Sequence, residues 1–430
     1  MHPVLVCLDS GTTAVKAAAF DENGRMIASA ERANGALRRE GLRVEQDMEV
    51  SRGEAFAVLR ACTEQINNPV SGCVITGQGD GLWPVDGQGQ PVGRAITWLD
   101  ARSARLAAEL DPELDVIQAA TGSRPTAAAQ SLQLLWMQQN DPARFGAIAH
   151  ALRLKEWLFL SLTGRVMAEP SAVLPVWGSW RKGEATPLVQ EALGLRRGIE
   201  LLPELTPIES CRANLSPSAA AVTGFPAGVP VLLGTGDVQA TLIGLGLGSR
   251  SGVTRASIFG TSAIHACLAT SPDEMRETPS GAMVQRFALD DRYLCFHPSF
   301  NGATVLQHLH QQFAAIPRCT EPHYSALVLH PFFEPGGERA PWTDLHARGA
   351  VLGLTAAAHP REIAWAAREA LAFVARKSHE MMDASSGTLA LGGGLAADKH
   401  FARFLATTLR TQVERSPSAH AGLRGLAALG

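Results

Sequence analysis

Two aspartates come shortly after apolar runs, at positions where a carboxylate could take part in catalysis. Asp237 ends the motif Gly-Thr-Gly-Asp at 234–237, just after the apolar run 229–233, and Asp9 directly follows the apolar run 4–8. Ligands of open α/β sheets gather at the carboxyl ends of such strands. With an ordinary pKa of about 3.9, Asp237 would be ionised and could accept a proton from a bound group. A helix N-cap is the alternative interpretation of Asp237.

Asp9 lies beside a turn of small polar residues, Ser-Gly-Thr-Thr at 10–13. A hard carboxylate next to hydrogen-bond donors suits a Mg²⁺ ion held largely through water. Asp is also common in Asp-Ser-Gly turns, so a purely structural role stays open. Lys16, in the following apolar run, could pair with a phosphate or be solvated on its strand.

An internal repeat links the two ends of the chain. Residues 11–18 (Gly-Thr-Thr-Ala-Val-Lys-Ala-Ala) closely match 260–267 (Gly-Thr-Ser-Ala-Ile-His-Ala-Cys), and an apolar run precedes each copy. A chance match is the alternative. Otherwise the repeat predicts two related domains, each with a Gly-Thr-rich hairpin whose N–H and hydroxyl groups can wrap a polyphosphate.

A third polar group alternates with glycines. Gln78 and Asp80 are separated by Gly79 and follow the apolar residues 73–75. The backbone could approach a small ligand there while an amide and a carboxylate point at it, although a glycine-rich hairpin would look similar. The carboxylate would accept hydrogen bonds from paired hydroxyls and repel an acidic ligand.

The elements that must position these residues alternate between strand and helix. Apolar runs at 4–8, 14–20, 70–75, 95–99 and 229–233 predict strands, and periodic segments at 101–110 and 131–139 predict helices. This pattern predicts an α/β protein. The glycine-alternating segment 244–249 predicts a domain boundary.

Composition narrows the class of protein. The chain has 430 residues, 46% of them apolar, with 38 Lys and Arg against 41 Asp and Glu. No basic run is present, so we expect neither a nucleic-acid partner nor a membrane surface. No apolar stretch approaches the roughly 20 residues of a membrane helix, and no signal peptide is recognised, so a cytoplasmic location is expected. Seven scattered cysteines without a Cys-x-x-Cys pair predict neither disulfides nor a zinc site.

Several short motifs follow one another in a recognisable order. They are Leu-Asp-Ser-Gly-Thr-Thr at 8–13, Gly-Gln-Gly-Asp-Gly at 77–81, Trp-Leu-Asp-Ala-Arg at 98–102, Gly-Thr-Gly-Asp at 234–237, Phe-Gly-Thr-Ser at 259–262, Gly-Glu-Arg-Ala-Pro at 337–341 and Leu-Gly-Gly-Gly at 391–394. In this order they resemble the motifs of the FGGY carbohydrate kinases, the sugar-kinase branch of the actin-like ATPase fold. The resemblance covers nearly the whole chain.

The resemblance implies two actin-like, ribonuclease H-like domains facing across a cleft, with a sugar-binding domain at 1–243 and a nucleotide-binding domain at 244–430. It implies ATP and Mg²⁺ as cofactors, Asp237 as catalytic base and Asp9 as the metal-binding residue. The implied substrate-binding residues are Gln78, Gly79, Asp80, Trp98, Asp100, Arg102, Asp237 and Gln239. The implied ATP-binding residues are Thr12, Thr13, Lys16, Gly260, Thr261, Ser262, Gly392, Gly393 and Gly394.

The chain also departs from the family pattern. It ends near the family's penultimate helix, so the closing helix of the nucleotide domain is expected to be missing. Arg403 and Thr407 stand where the family usually has Gln and Asp, and Glu156 stands where Asp is common. The differences at 403 and 407 predict nucleotide contacts that depart from those of the family, whereas Glu for Asp at 156 is a milder change.

The expected activity is ATP-dependent phosphorylation of a small neutral sugar or polyol. Many ketopentose kinases of the family carry Met-His where this chain has Gly79 and Asp80. The carboxylate of Asp80 would repel a sugar acid, so a neutral polyol or ketose is expected. A xylulose-type ketopentose is favoured, and a tetritol such as erythritol is second. A sugar-binding protein of the same fold without turnover is the alternative from another class. A sugar dehydrogenase is disfavoured because no nicotinamide fingerprint occurs. A homodimer is a further expectation.

Overall fold

The computed structural model describes residues 2–274, 281–313, 315–318, 321–334, 337–344, 346–382, 387–416 and 420–430. They form two compact units. The first unit comprises the residues up to Gly244 together with 288–290 and 420–430, and the second comprises 245–287 and 291–419. The last residues, 420–430, thus group with the first unit, and the domain bounds 1–243 and 244–430 stay predictions.

The strands are β1 (Val4–Ser10), β2 (Ala14–Phe20), β3 (Met26–Ala33), β4 (Leu37–Glu40), β5 (Arg43–Gln46), β6 (Val70–Gly77), β7 (Trp83–Val85), β8 (Ala95–Ile96), β9 (His150–Leu152), β10 (Gly178–Ser179), β11 (Glu184–Ala185), β12 (Arg212–Asn214), β13 (Pro230–Leu233), β14 (Val253–Phe259), β15 (Ala263–Ala269), β16 (Met283–Arg286), β17 (Tyr293–Ser299), β18 (Val328–His330), β19 (Ala350–Leu352), β20 (Thr388–Gly393) and β21 (Val413–Arg415).

The α-helices are α1 (Met48–Thr63), α2 (Ala104–Glu109), α3 (Asp111–Thr121), α4 (Gln130–Asn140), α5 (Pro142–Ala147), α6 (Leu154–Thr163), α7 (Pro170–Trp177), α8 (Leu188–Ala192), α9 (Pro217–Thr223), α10 (Asp237–Leu245), α11 (Thr304–Gln312), α12 (Pro360–Met381), α13 (Lys399–Leu409) and α14 (Ala421–Ala427).

A mixed sheet in the order β12-β13-β6-β1-β2-β3 forms the centre of the first unit. β1 and β2 are an antiparallel hairpin, whereas β6 pairs parallel to β1 and β13 parallel to β6. Most residues of β1 and β2 are buried, as expected where helices cover both faces of a sheet. Because β1, β6 and β13 run in one direction, the residues that follow Ser10, Gly77 and Leu233 meet at one edge of the sheet.

The second unit repeats this arrangement. Its sheet has the order β16-β17-β15-β14-β20-β21, with β14 and β15 as an antiparallel hairpin and β20 parallel to β14. The bounds of β14 and β15 lie 249 residues after those of β1 and β2. The internal repeat is therefore a repeat of structure, and the prediction of two related α/β units with Gly-Thr-rich hairpins is confirmed.

The local predictions differ in accuracy. The strand at 229–233 is β13 and the helix at 131–139 is α4. The predicted helix at 101–110 is shorter, because α2 begins only at Ala104, and the predicted strand at 95–99 has only two residues, Ala95–Ile96. Polar side chains in and next to these regions make tertiary hydrogen bonds: the Thr97 hydroxyl donates to Val44 O, and the Asp100 carboxylate accepts the Val44 N–H.

Cys7, Cys62, Cys73, Cys211, Cys267 and Cys295 are free and buried, and Cys319 lies outside the described residues. Among the helices of the described residues, none combines the length and the apolar character that a membrane span requires.

Candidate active site

The polar residues predicted on three separate strands meet at one edge of the first sheet. Gly79 and Asp237 are in contact: the backbone N–H of Gly79 donates to the Asp237 carboxylate, and a Cβ on Gly79 would lie 3.2 Å from Asp237 Oδ1. The charges of Asp9 and Asp80 also act on Asp237. The topology therefore groups three carboxylates where the strand order alone predicts a ligand site.

Asp237 is the first residue of α10, and its Oδ1 accepts the N–H of Val238 at 2.9 Å. An N-cap carboxylate accepts the N–H of a residue two or three positions further on, so this bond to the next residue does not bear out the cap interpretation. The carboxylate also faces Gly79. Burial, reinforced by the negative charge of Asp9, raises the pKa of Asp237 to about 7. The assumption of an ordinary pKa near 3.9 was wrong, because the burial and the second carboxylate come from residues distant in sequence.

Asp9 lies in β1 and belongs to no turn. It pairs across the sheet with Lys16, which in turn pairs with Glu31, and Lys16 Nζ lies 3.5 Å from Glu31 Oε1. Burial raises the pKa of Asp9 to about 6, and the charge of Lys16 partly offsets this rise. Lys16 therefore already neutralises carboxylates in the sheet, and its contact with a phosphate stays a prediction.

The carboxylates fit a magnesium ion. Asp9 and Asp237 are hard oxygen donors, and burial disfavours the charged form of both. A cation would relieve that penalty. The described residues contain no group of three or more Asp, Glu, His or Cys side chains placed to hold a metal. Water and phosphate oxygens would therefore supply most ligands of such an ion.

A chain of hydrogen bonds connects the turn of the first hairpin, residues 11–13, with two of the predicted substrate-binding residues. Trp98 Nε1 donates to the Thr12 hydroxyl at 2.9 Å, Thr12 donates to Gln78 Oε1 at 2.8 Å, and the Gln78 amide nitrogen donates to Gln46. The side chain of Thr12, predicted to bind ATP, is thus engaged with two predicted sugar-contacting residues. Thr13 is exposed on the same turn.

Sequence reasoning missed Gln46. The alternation along β5 could have indicated it. Gln46 lies on the same buried face of the strand as Val44, where an apolar residue is usual. A polar side chain at such a position indicates a buried polar partner. Here that partner is Gln78, far away in sequence.

Asp100 and Arg102 are paired with each other. Arg102 Nε and Nη2 donate to the two oxygens of Asp100 at 2.8 and 2.7 Å, and Nη2 also donates to Glu45 at 2.6 Å. The buried Asp100 accepts the Val44 N–H at 2.6 Å, and the guanidinium lies over Trp136. These contacts tie the segment after β8 to β5, so the predicted sugar contacts of Asp100 and Arg102 would have to form alongside them.

Two further predicted substrate residues have distinctive environments. Asp80 has a left-handed backbone, φ 51°, a conformation that is uncommon for non-glycine residues and in which Asp is enriched. Gln239 is buried in α10, and its Oε1 accepts the N–H of Ala288 at 3.1 Å. Gln239 therefore ties 288–290 to the first unit, and its sugar contact stays a prediction.

Residues 303 and 304 donate hydrogen bonds to carbonyl oxygens of the second hairpin turn, residues 260–262. Gly260 O accepts the N–H of Ala303 at 2.8 Å and Thr261 O accepts the Thr304 hydroxyl at 2.7 Å. A Cβ on Gly302 would lie 2.4 Å from Ser262 O, so only glycine allows this approach. Thr261 and Ser262 are exposed, which suits donors for a phosphate.

The triple-glycine motif lies directly beside this turn. Gly393 pairs with Phe259, the residue before Gly260, and has φ +79°. A Cβ on Gly393 would lie 2.3 Å from Phe259 O, and one on Gly392 would lie 2.5 Å from Leu245 Cδ1. Gly394 is exposed and begins a short 3₁₀ turn. The structure thus brings together 260–262 and 392–394, the two predicted nucleotide motifs of the second unit.

In the motif Gly-Glu-Arg-Ala-Pro at 337–341, Glu338 makes hydrogen bonds to a neighbouring segment. This buried carboxylate accepts hydrogen bonds from the Ser299 hydroxyl, the Phe300 N–H and the Asn301 amide at 2.7, 2.9 and 3.0 Å. The segment it fixes leads directly to Gly302, which packs on the second hairpin turn. Arg403 and Thr407, the departures from the family pattern, both lie on the exposed side of α13.

The first unit thus carries carboxylates beside its hairpin, and the second unit carries glycine turns beside its own. Residues 4–244 match the FGGY family of carbohydrate kinases, N-terminal domain, and residues 256–430 match the C-terminal domain of the same family. The chain belongs to the FGGY family of carbohydrate kinases, which transfer a phosphoryl group from ATP to an alcohol.

Known relatives act on different substrates. Erythritol kinase of Brucella abortus (strain 2308) is 30% identical over 452 residues, covering 99% of this chain and 86% of the relative. Xylulose kinase of Escherichia coli (strain K12) is 26% identical over 418 residues, covering 95% and 85%. The crystal structure of Plasmodium falciparum glycerol kinase with ADP has a TM-score of 0.84 at 18% identity, covering 100% of this chain and 89% of that chain.

Proposed function

We propose that this protein transfers the γ-phosphoryl group of ATP to a hydroxyl of a small neutral polyol of the erythritol type. The observation that carries this proposal is the contact between the Asp237 carboxylate and the segment of Gly79 and Asp80. A carboxylate that can accept a proton thus lies beside a second carboxylate that can accept hydrogen bonds from hydroxyl groups.

In the proposed step, the substrate hydroxyl oxygen forms a bond to the γ-phosphorus, and the bond from that phosphorus to the β,γ-bridging oxygen breaks. Asp237 orients the hydroxyl and takes its proton, and ADP and the sugar phosphate leave. The backbone N–H groups of the two hairpin turns and the glycines 392–394 would hold the nucleotide. Mg²⁺, when bound near Asp9, would neutralise charge on the phosphates.

The polyol is placed ahead of a ketopentose for two reasons, which reverses the order that the sequence motifs favoured. Asp80 and Asp237 are ionisable acceptors, and the amide oxygen of Gln78 already accepts from Thr12. A polyol offers a donor hydroxyl at each carbon, whereas the carbonyl oxygen of a ketose cannot donate to a carboxylate. The erythritol kinase relative is also more similar to this chain than the xylulose kinase.

The test is an ADP-release screen over tetritols, pentitols, glycerol and ketopentoses at matched concentrations. We expect the highest kcat/KM with a tetritol and a lower value with D- or L-xylulose. A highest value with a ketopentose would replace the substrate class but keep the reaction. Binding of a neutral sugar without ADP formation, with Mg²⁺ and ATP present, would instead support a binding protein without turnover.

A further inference from the structure

A buried ion pair lies behind the segment that carries Asp237. Lys155 on α6 and Glu169 before α7 are both almost fully buried, and Lys155 Nζ donates to Glu169 Oε1 at 2.8 Å. The same ammonium donates to the carbonyl oxygen of Gly234 at 2.9 Å. The pair therefore reaches the first residue of the motif 234–237 through a direct hydrogen bond.

A second connection reaches the next residue of that motif. The Ser171 hydroxyl donates to Glu169 Oε1 at 2.9 Å and lies 2.7 Å from the Thr235 hydroxyl. Because the hydrogen of Ser171 goes to Glu169, Thr235 is the donor in the second bond. The carbonyl oxygen of Thr235 accepts the Thr76 hydroxyl at 2.6 Å, which joins the motif to β6 two residues before Gln78.

Glu169 also caps α7, because its Oε2 accepts the Ser171 N–H at 2.7 Å, but this local role requires neither Lys155 nor a bond to Gly234. Burying a lysine and a glutamate is costly even when they are paired, and an apolar pair would fill the same volume at no such cost. What the charged pair adds is a directional donor to Gly234 and a directional acceptor for the hydroxyl chain to Thr235. Both constraints act on the two residues that set the backbone path into Asp237.

We propose that Lys155 and Glu169, through Ser171 and Thr235, are positioning residues that hold the Asp237 carboxylate against Gly79 in the geometry that phosphoryl transfer requires. This inference rests on the proposed function, because it assumes that Asp237 is the base. A displacement of a reacting group by about 1 Å can lower a rate by about 10²-fold without changing substrate affinity. We therefore expect the loss of these positioning contacts to lower kcat and to leave the polyol KM nearly unchanged.

The matched control is Glu156, a second buried glutamate next to a buried cation. It lies on α6, the helix that carries Lys155. Glu156 is buried beside Arg153, 3.6 Å from its guanidinium, and accepts the backbone N–H of Arg153. Glu169→Gln and Glu156→Gln thus remove the same charge from similar surroundings. Only the first change disturbs the bonds to 234–237.

The experiment measures kcat, polyol KM and melting temperature for Glu169→Gln, Ser171→Ala, Thr235→Val and Thr235→Ser, with Glu156→Gln as control and Asp237→Asn as reference. We expect Glu169→Gln, Ser171→Ala and Thr235→Val to lower kcat about 10- to 100-fold with polyol KM changed by less than about threefold. Thr235→Ser, which keeps the hydroxyl, should restore kcat. Glu156→Gln should lower the melting temperature but leave kcat within about threefold of the unaltered protein.

The opposite result overturns the inference. If Ser171→Ala and Thr235→Val keep kcat while Asp237→Asn loses it, the network is structural only and the base assignment stands. If Asp237→Asn itself keeps kcat, the proposed function fails and the positioning inference fails with it. Because Thr235→Val and Ser171→Ala remove only one oxygen atom each, they keep the test decisive even if Glu169→Gln does not fold.

Discussion

The two Gly-Thr hairpins share strand bounds and topology but differ in charge. In the first, β1 carries Asp9 next to the turn, and burial raises the pKa of that carboxyl to about 6. In the second, the equivalent position is Ile258, and the nearby His265 is buried with its pKa lowered to about 3, so it is neutral. The proposed roles of the two copies differ accordingly: ionisable groups for chemistry at the first hairpin, and neutral donors for a nucleotide at the second.

The largest effect separating the hairpins is expected at Asp9. Asp9→Asn removes the charge that would hold a Mg²⁺ ion, and we expect kcat to fall about 10²- to 10³-fold. The equivalent change in the second hairpin, Ile258→Val, removes only a methylene and should leave kcat within about threefold. Steady-state kinetics over a Mg²⁺ titration measures both. Equal losses in the two variants would contradict the division of roles.

The next effect concerns the glycine beside the second hairpin. Gly393→Ala would force a positive φ on alanine and press its Cβ against Phe259 O. We expect the KM for ATP to rise about tenfold and the polyol KM to change little. Gly252→Ala is the matched control, because Gly252 also has a positive φ, +77°, but nothing lies within 4 Å of its Cβ. A similar rise in ATP KM in the control would show that backbone strain alone is responsible.

A smaller effect is expected at the substrate side of the first unit. Asp80→Asn keeps the volume but weakens acceptance from hydroxyls, so the ratio of kcat/KM for erythritol over xylulose should fall about fivefold. The KM for ATP should stay within about twofold. A competition assay with both substrates gives the ratio directly. An unchanged ratio together with a raised ATP KM would place Asp80 at the nucleotide instead.

The smallest effect is a change in pH dependence of stability. His265 donates or accepts a hydrogen bond with Ser257 at 3.0 Å, next to His379, and stays neutral in the folded protein. Its folded pKa of about 3 lies below the ordinary value of 6.5, so the unfolded chain binds more protons between these values. Stability is therefore lost as the pH falls below 6.5.

Replacing His265 should flatten this acid loss. We expect the melting temperature of the unaltered protein to fall by a few degrees more than that of His265→Gln when the pH drops from about 7.5 to 5.5. Thermal unfolding followed by circular dichroism at both pH values measures the difference. Parallel slopes for the two proteins would mean that His265 is protonated or absent from the linkage.

The sequence predicted what depends on short segments. The repeat of 11–18 at 260–267 gave both hairpins, and the apolar run 229–233 placed Asp237 at the end of a strand. Both features are local, because strand pattern and turn residues are set by neighbours along the chain.

What the sequence could not predict depends on pairs that are distant along the chain. The pKa of Asp237 rises because Asp9 and the surrounding chain come close to it, and Arg102 pairs with Glu45 across 57 positions. The return of α14 to the first unit has the same origin, since Gly422 packs against Asp9. No periodicity in the sequence encodes these contacts.

The role of Asp237 as the base of a polyol kinase is the proposal on which the others depend. Its most direct test combines a rapid-quench measurement of polyol phosphate formation with calorimetric polyol binding for Asp237→Asn, which fills the same volume but accepts no proton. We expect the rate of phosphoryl transfer to fall about 10²- to 10⁴-fold while polyol affinity stays within about threefold. A rate of transfer unchanged by the substitution would contradict it.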